Sequence, residues 1–108
     1  MTGNMDIVEE AVDVKPEDVK PYAFISQLAL DNHFVGYCYR EYPETKIDSG
    51  WRFMHGTEDD EYVSEPSHSV SIYLEEVLEI NPELKDILDS PVNSEFEWNE
   101  ESKIYLEL

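Results

Sequence analysis

The fold turns on one passage: Asp48-Ser49-Gly50-Trp51-Arg52-Phe53, then Gly56, then Glu58-Asp59-Asp60-Glu61-Tyr62. Small residues suit a turn, and the aromatics that follow alternate with Arg52 and Met54. That period of two places Trp51 and Phe53 on one face of a strand and Arg52 and Met54 on the other. The passage predicts a strand over Gly50–Met54, a turn at His55-Gly56-Thr57 and an acidic loop beyond it. From Arg52 to Lys85 there is no intervening Lys or Arg, whereas nine acids occur.

Working outward, Ala23 to Leu30 is an apolar run between Pro21 and Asp31-Asn32, which reads as a strand. Phe34 to Glu41 is rich in Val, Tyr and Phe and reads as another. Its Val35, Tyr37 and Tyr39 share one face; Phe34, Gly36, Cys38 and Arg40 share the other. With Asp31-Asn32-His33 as the turn, these two strands are expected to form a hairpin. Val70 to Tyr73 predicts a short strand or the entry into a helix. Leu74, Val77 and Leu78 fall at helical spacing and predict a helix ending at Ile80. Asn81-Pro82-Glu83 restarts a helix, with Pro in the first turn and an acid at the positive end of the dipole. Phe96–Trp98 and Lys103–Leu106 predict a closing hairpin. The sum is an α+β domain: a mostly antiparallel sheet of about five strands with two short helices packed on one side.

The chain has 108 residues, room for one domain. Residues 1–21 are acidic and lack an aromatic, which predicts a flexible arm; residues 22–108 form the single domain. Seven Lys and Arg against 26 Asp and Glu give a net charge of −19. Such a chain repels nucleic acid and anionic membranes and attracts a basic protein or divalent cations. One cysteine excludes an internal disulfide and suits a reducing compartment. The start lacks the basic and apolar regions of a signal peptide, so a cytoplasmic protein is expected.

No constellation announces a reaction. Glu58, Asp59, Asp60, Glu61 and Glu65 offer hard oxygen ligands, but not at the spacing of an EF-hand, and a solvated loop accounts for them better. His33, His55 and His68 match no zinc pattern. Cys38 lies mid-strand beside aromatics, as a small buried hydrophobe would. No phosphate-binding glycine loop or nucleophile elbow occurs. Neither a catalytic residue nor a cofactor is expected. Arg52 has two readings: a guanidinium forked onto a carboxylate such as Asp48 or Glu61, or a contact to a partner. Trp51 likewise reads as core or as an interface anchor.

Val35-Gly36-Tyr37-Cys38-Tyr39-Arg40-Glu41, the Asp48–Phe53 run, Gly56, the Glu58–Tyr62 run, Leu88-Asp89-Ser90-Pro91 and Phe96 together resemble a bacterial family of small domains. This is the immunity-protein-thirty-three group, assigned to polymorphic-toxin systems largely from gene neighbourhood. The resemblance spans roughly residues 23 to 106. Met54-His55 stands where relatives often have an aromatic and a serine. The resemblance implies an interaction protein that binds and blocks a toxin, and it hands over no catalytic residues. On that reading the partner is a basic protein, met by Trp51, Arg52, Glu58, Asp59, Asp60, Glu61 and Tyr62. The competing readings are a metal-binding or enzymatic domain using the acid cluster, and an acidic mimic of nucleic acid.

Overall fold

The computed structural model describes residues 20–108; the expected arm at residues 1–21 lies almost wholly outside them. The described elements, in order, are strand β1 (Tyr22–Ser26), helix α1 (Gln27–Asn32), strands β2 (Tyr37–Arg40) and β3 (Asp48–Met54) and helix α2 (Asp60–Val63). A 3-10 turn (Pro66–His68), strand β4 (Ser69–Tyr73) and helix α3 (Leu74–Ile80) follow. A second 3-10 turn (Pro82–Asp86) and strands β5 (Glu95–Asn99) and β6 (Ile104–Glu107) complete the chain. The described strands form one sheet of six in the order β4-β1-β3-β2-β5-β6. All neighbours are antiparallel except β1 and β3. The α+β architecture and mostly antiparallel sheet match the sequence reading, with one strand more than expected.

β3 occupies the interior of the sheet and is its most buried strand: Asp48 to Phe53 are all buried. Its place corrects the expected hairpin. β1 and β2 do not pair; β3 lies between them, parallel to β1 and antiparallel to β2. The strand expected over Ala23–Leu30 is also too long. It stops at Ser26, whose side chain accepts the Ala29 amide at 3.0 Å and caps α1. A run of eight mostly apolar residues does not distinguish strand from buried helix by periodicity, and the serine cap resolves it locally. His33 ends α1 in the left-handed region (φ 53°). α3 falls where expected. The restart at Asn81-Pro82-Glu83 winds as a 3-10 turn rather than an α-helix.

The two faces of the sheet differ. On one, Ala23, Ile25, Cys38, Trp51, Phe53, Phe96 and Tyr105 meet Ala29 of α1, Val77 of α3 and Leu84 of the second 3-10 turn in one buried cluster. On the other, the register aligns Phe24, Arg52, Tyr39 and Glu95 across four strands. Tyr22, Tyr37, Met54 and Glu97 extend this second face. Neither α1 nor α3 covers it.

Candidate functional site: a groove between the open sheet face and the acidic segment

Each residue of the Asp48–Phe53 run has a structural task. β3 shifts register against β1 between Tyr22 and Phe24, where the four steps from Asp48 to Arg52 oppose two on β1. Gly50 permits it: its φ is +86°, and a Cβ there would lie 2.3 Å from the Glu41 carbonyl oxygen. Asp48 accepts the Gly50 and Glu44 amides, each at 2.8 Å. Ser49 Oγ accepts the Trp51 amide at 3.2 Å. Trp51 is fully buried, stacks on Phe53 and donates its indole N–H to the Leu88 carbonyl at 3.2 Å. Arg40 stands over the Trp51 ring at 5.6 Å and donates to the Ser90 carbonyl at 2.6 Å. The Leu88-Asp89-Ser90-Pro91 segment is thus tied to the strand that carries the tryptophan.

Arg52 points to the other face. Its guanidinium binds Asp48 in a fork at 3.0 and 2.8 Å, and its Nε donates to Glu41 at 2.6 Å. Of the two fork partners anticipated, Asp48 fills the role and Glu61 does not; Glu61 lies exposed on α2. The Asp48 carboxyl is lowered to about 2, chiefly by the hydrogen bonds from Arg52. Burial works against the charge of Arg52, but the hydrogen bonds to Asp48 and Glu41 outweigh it and raise its pKa. The guanidinium also lies 4.8 Å from the centre of the Phe24 ring.

The acidic segment crosses the end of this face, where β1 and β3 run out. Glu58 bolts it down. Its carboxylate accepts the Ser26 hydroxyl, the His55 amide at 2.8 Å and the Gly56 amide at 2.9 Å. Burial opposes ionisation of Glu58, and these hydrogen bonds together lower its pKa. Asp59 caps α2 by accepting the Tyr62 amide at 2.8 Å. Asp60 and Glu61 are exposed in the first turn of α2. Tyr62 turns inward and stacks on His68, with ring centres 3.9 Å apart. Glu65 is exposed, and its pKa is lowered by hydrogen bonds from Ser67.

Between the segment and the sheet lies a groove of about 330 Å3. Phe24, Tyr39, Arg52 and Met54 line it from the sheet, and Tyr62, Val63, Glu65 and His68 from the segment. Of the seven residues singled out in the sequence, Arg52 and Tyr62 meet here. Glu58 and Asp59 hold the segment in shape, Asp60 and Glu61 face solvent, and Trp51 lies behind the sheet. Sequence reasoning missed Phe24, Tyr39, Glu41 and His68. The alternation in Tyr22-Ala23-Phe24 and Tyr37-Cys38-Tyr39 carried a signal for the first two, because it puts aromatics on the face opposite Cys38.

Burial pushes the Cys38 thiol up to about 12, so it is neutral and inert near pH 7. Among the described residues, no group of three His, Cys, Asp or Glu side chains converges to hold a metal ion. No described helix is long and apolar enough to cross a membrane. No curated protein and no solved structure matches the chain. The sequence model of one family, described as the Immunity protein Imm33 domain, matches residues 23–107, from the middle of β1 to the end of β6. The chain therefore belongs to the Imm33 immunity protein family.

Proposed function

We propose that this protein protects cells by binding a toxin and occluding it, without chemistry of its own. Family membership carries the reading, since an immunity domain implies a toxin as counterpart. The net charge of −19 supports a basic partner and argues against a nucleic acid or an anionic membrane as the ligand. Exposed acids on α2 and the following turn steer that partner, and the cytoplasm is where the encounter takes place. Steering by such a rim acts mainly on the association rate and weakens as salt screens it.

The test is capture from cells of the source organism at low salt, elution with rising salt, and identification of the eluted protein by mass spectrometry. The expected result is a basic protein whose toxicity in a host cell is abolished by co-expression of this chain. Recovery of a partner whose toxicity is unaffected overturns the immunity reading. Retention that does not change with salt removes the acidic surface from it.

A further inference from the structure

The face of the sheet opposite α1 and α3 carries a row of half-buried aromatic side chains: Tyr22, Phe24, Tyr37 and Tyr39. Val63, at the rim of the groove, is 50% exposed, and Leu106, farther along the same face, is 44% exposed. Aromatic rings with one open side bind cations across their faces, and Tyr contributes strongly to interface energetics. The protein already shows the mode, with Arg52 over Phe24.

Charge sets what else can dock there. Among the described residues, Arg52 is the only Lys or Arg lining the groove, and two carboxylates neutralise it. Glu65 lines the groove, and Glu95 and Glu97 stand exposed on the same face of β5. Lys20, at the far edge near Tyr73, is paired with Glu75. The face is therefore aromatic at its floor and negative around it.

We infer that this face is the docking surface for a basic polypeptide segment, one of whose arginine or lysine side chains enters the groove between Tyr39 and Tyr62. The aromatic rings receive the cation and Glu65 pairs with it, while flanking apolar residues of the segment cover the exposed end of Met54 and Val63. The inference rests on the toxin-binding reading for the origin of the segment, but not for its chemistry. A second hollow of similar volume, on the helix side, is lined by Leu30, Val70, Ile72, Glu79 and Ile80 among others. It has acids but no Phe, Tyr or Trp, so it offers attraction without a stacking surface.

The test uses the full chain and a blocked peptide, acetyl-Arg-Leu-Arg-Leu-Arg-amide, followed by backbone amide chemical shifts. The expected shifts gather at Phe24, Tyr39, Met54, Tyr62 and His68. The exposed-site variant V63K/E65K weakens binding about tenfold, whereas E79K/D86K, which adds more positive charge on the helix side, leaves it within about twofold. Shifts gathered at the helix-side hollow, shifts spread evenly over all acids, or no titration overturn the inference. If V63K/E65K does not fold, as judged by its thermal melt, the shift map of the unaltered chain decides alone. The toxin-binding reading fails separately: a captured toxin that binds V63K/E65K and the parent equally overturns this surface and leaves that reading standing. A peptide that titrates the groove when no toxin is captured does the reverse. A stable dimer in sedimentation that is abolished by V63K/E65K also overturns it, since a second copy then covers the face.

Discussion

The two faces of the β3 strand teach different things from adjacent residues. Trp51 looks toward the helices, is fully buried and holds the core to the Leu88 carbonyl. Arg52, one position on, looks toward the open face and forms the floor of a groove. The helix side is built for cohesion: Trp51, Phe53, Phe96 and Tyr105 are buried there in one cluster. The open side has an internally satisfied floor, the Arg52–Asp48–Glu41 ion pair, beneath aromatics and acids that remain accessible. Membership in an immunity family implies a toxin as counterpart, and the occlusion proposed above needs a rigid platform more than a reactive group.

Substitutions break this contrast in graded steps. The largest effect is expected at the floor and the core. Asp48→Ala leaves a buried guanidinium with Glu41 as its one carboxylate partner, and removing one partner of a buried pair costs about 3–5 kcal/mol. Trp51→Ala should cost a similar 3–5 kcal/mol by opening a cavity. Leu106→Ala and Val63→Ala, on the open face, should stay within about 1 kcal/mol. Denaturant unfolding checks all four; losses at Leu106 and Val63 as large as those at Asp48 and Trp51 would erase the distinction between the built floor and core and the accessible surface.

Gly50→Ala ranks next, at about 1–3 kcal/mol, because alanine must adopt the positive φ and displace the Glu41 carbonyl. Glu58→Gln weakens charge-assisted hydrogen bonds to Ser26, His55 and Gly56, for about 1–2 kcal/mol. Its more specific signature is faster amide exchange across residues 55–65 with the β3 amides unchanged.

Acid provides a further check on the floor. Asp48 is held near 2 in the folded chain, below the ~3.9 of a free aspartate. A lowered carboxylate contributes stability above its unfolded pKa and loses it as pH falls through the folded one. Stability attributable to Asp48 is therefore complete above about pH 4 and fades between about 4 and 2. Asp48→Asn should flatten that part of the acid limb in a pH series of thermal melts. The smallest effect on stability is expected from neutralising Asp60 and Glu61 together, within about 0.5 kcal/mol. Association with a basic partner should nevertheless slow and lose much of its salt dependence. Glu58, Asp59 and Glu65 are excluded from that set because each holds at least one backbone amide in place.

Much of the fold was legible because its signals are local. Alternation marked β3 and the β5–β6 hairpin, helical spacing marked α3, and the Asp48–Arg52 fork was one of two pairings anticipated. What was not legible depends on partners distant in sequence. The insertion of β3 between β1 and β2 is a competition among strands that no single window contains. The end of β1 hinges on one hydroxyl, Ser26, which caps α1 and also holds Glu58, a residue 32 positions away. The groove escaped notice for the same reason: Phe24, Tyr39 and Tyr62 come from three elements, and only register and the Glu58 anchor bring them together. The acidic run drew attention through its composition, yet two of its acids serve its own geometry.

The most direct test of the central claim is hydrogen exchange of the full chain, free and bound to the basic toxin recovered by salt elution. The account predicts new protection in β1, β2 and residues 60–69, with α3 and the second 3-10 turn unchanged. Protection confined to residues 74–86, with the open face exchanging as in the free protein, would contradict it.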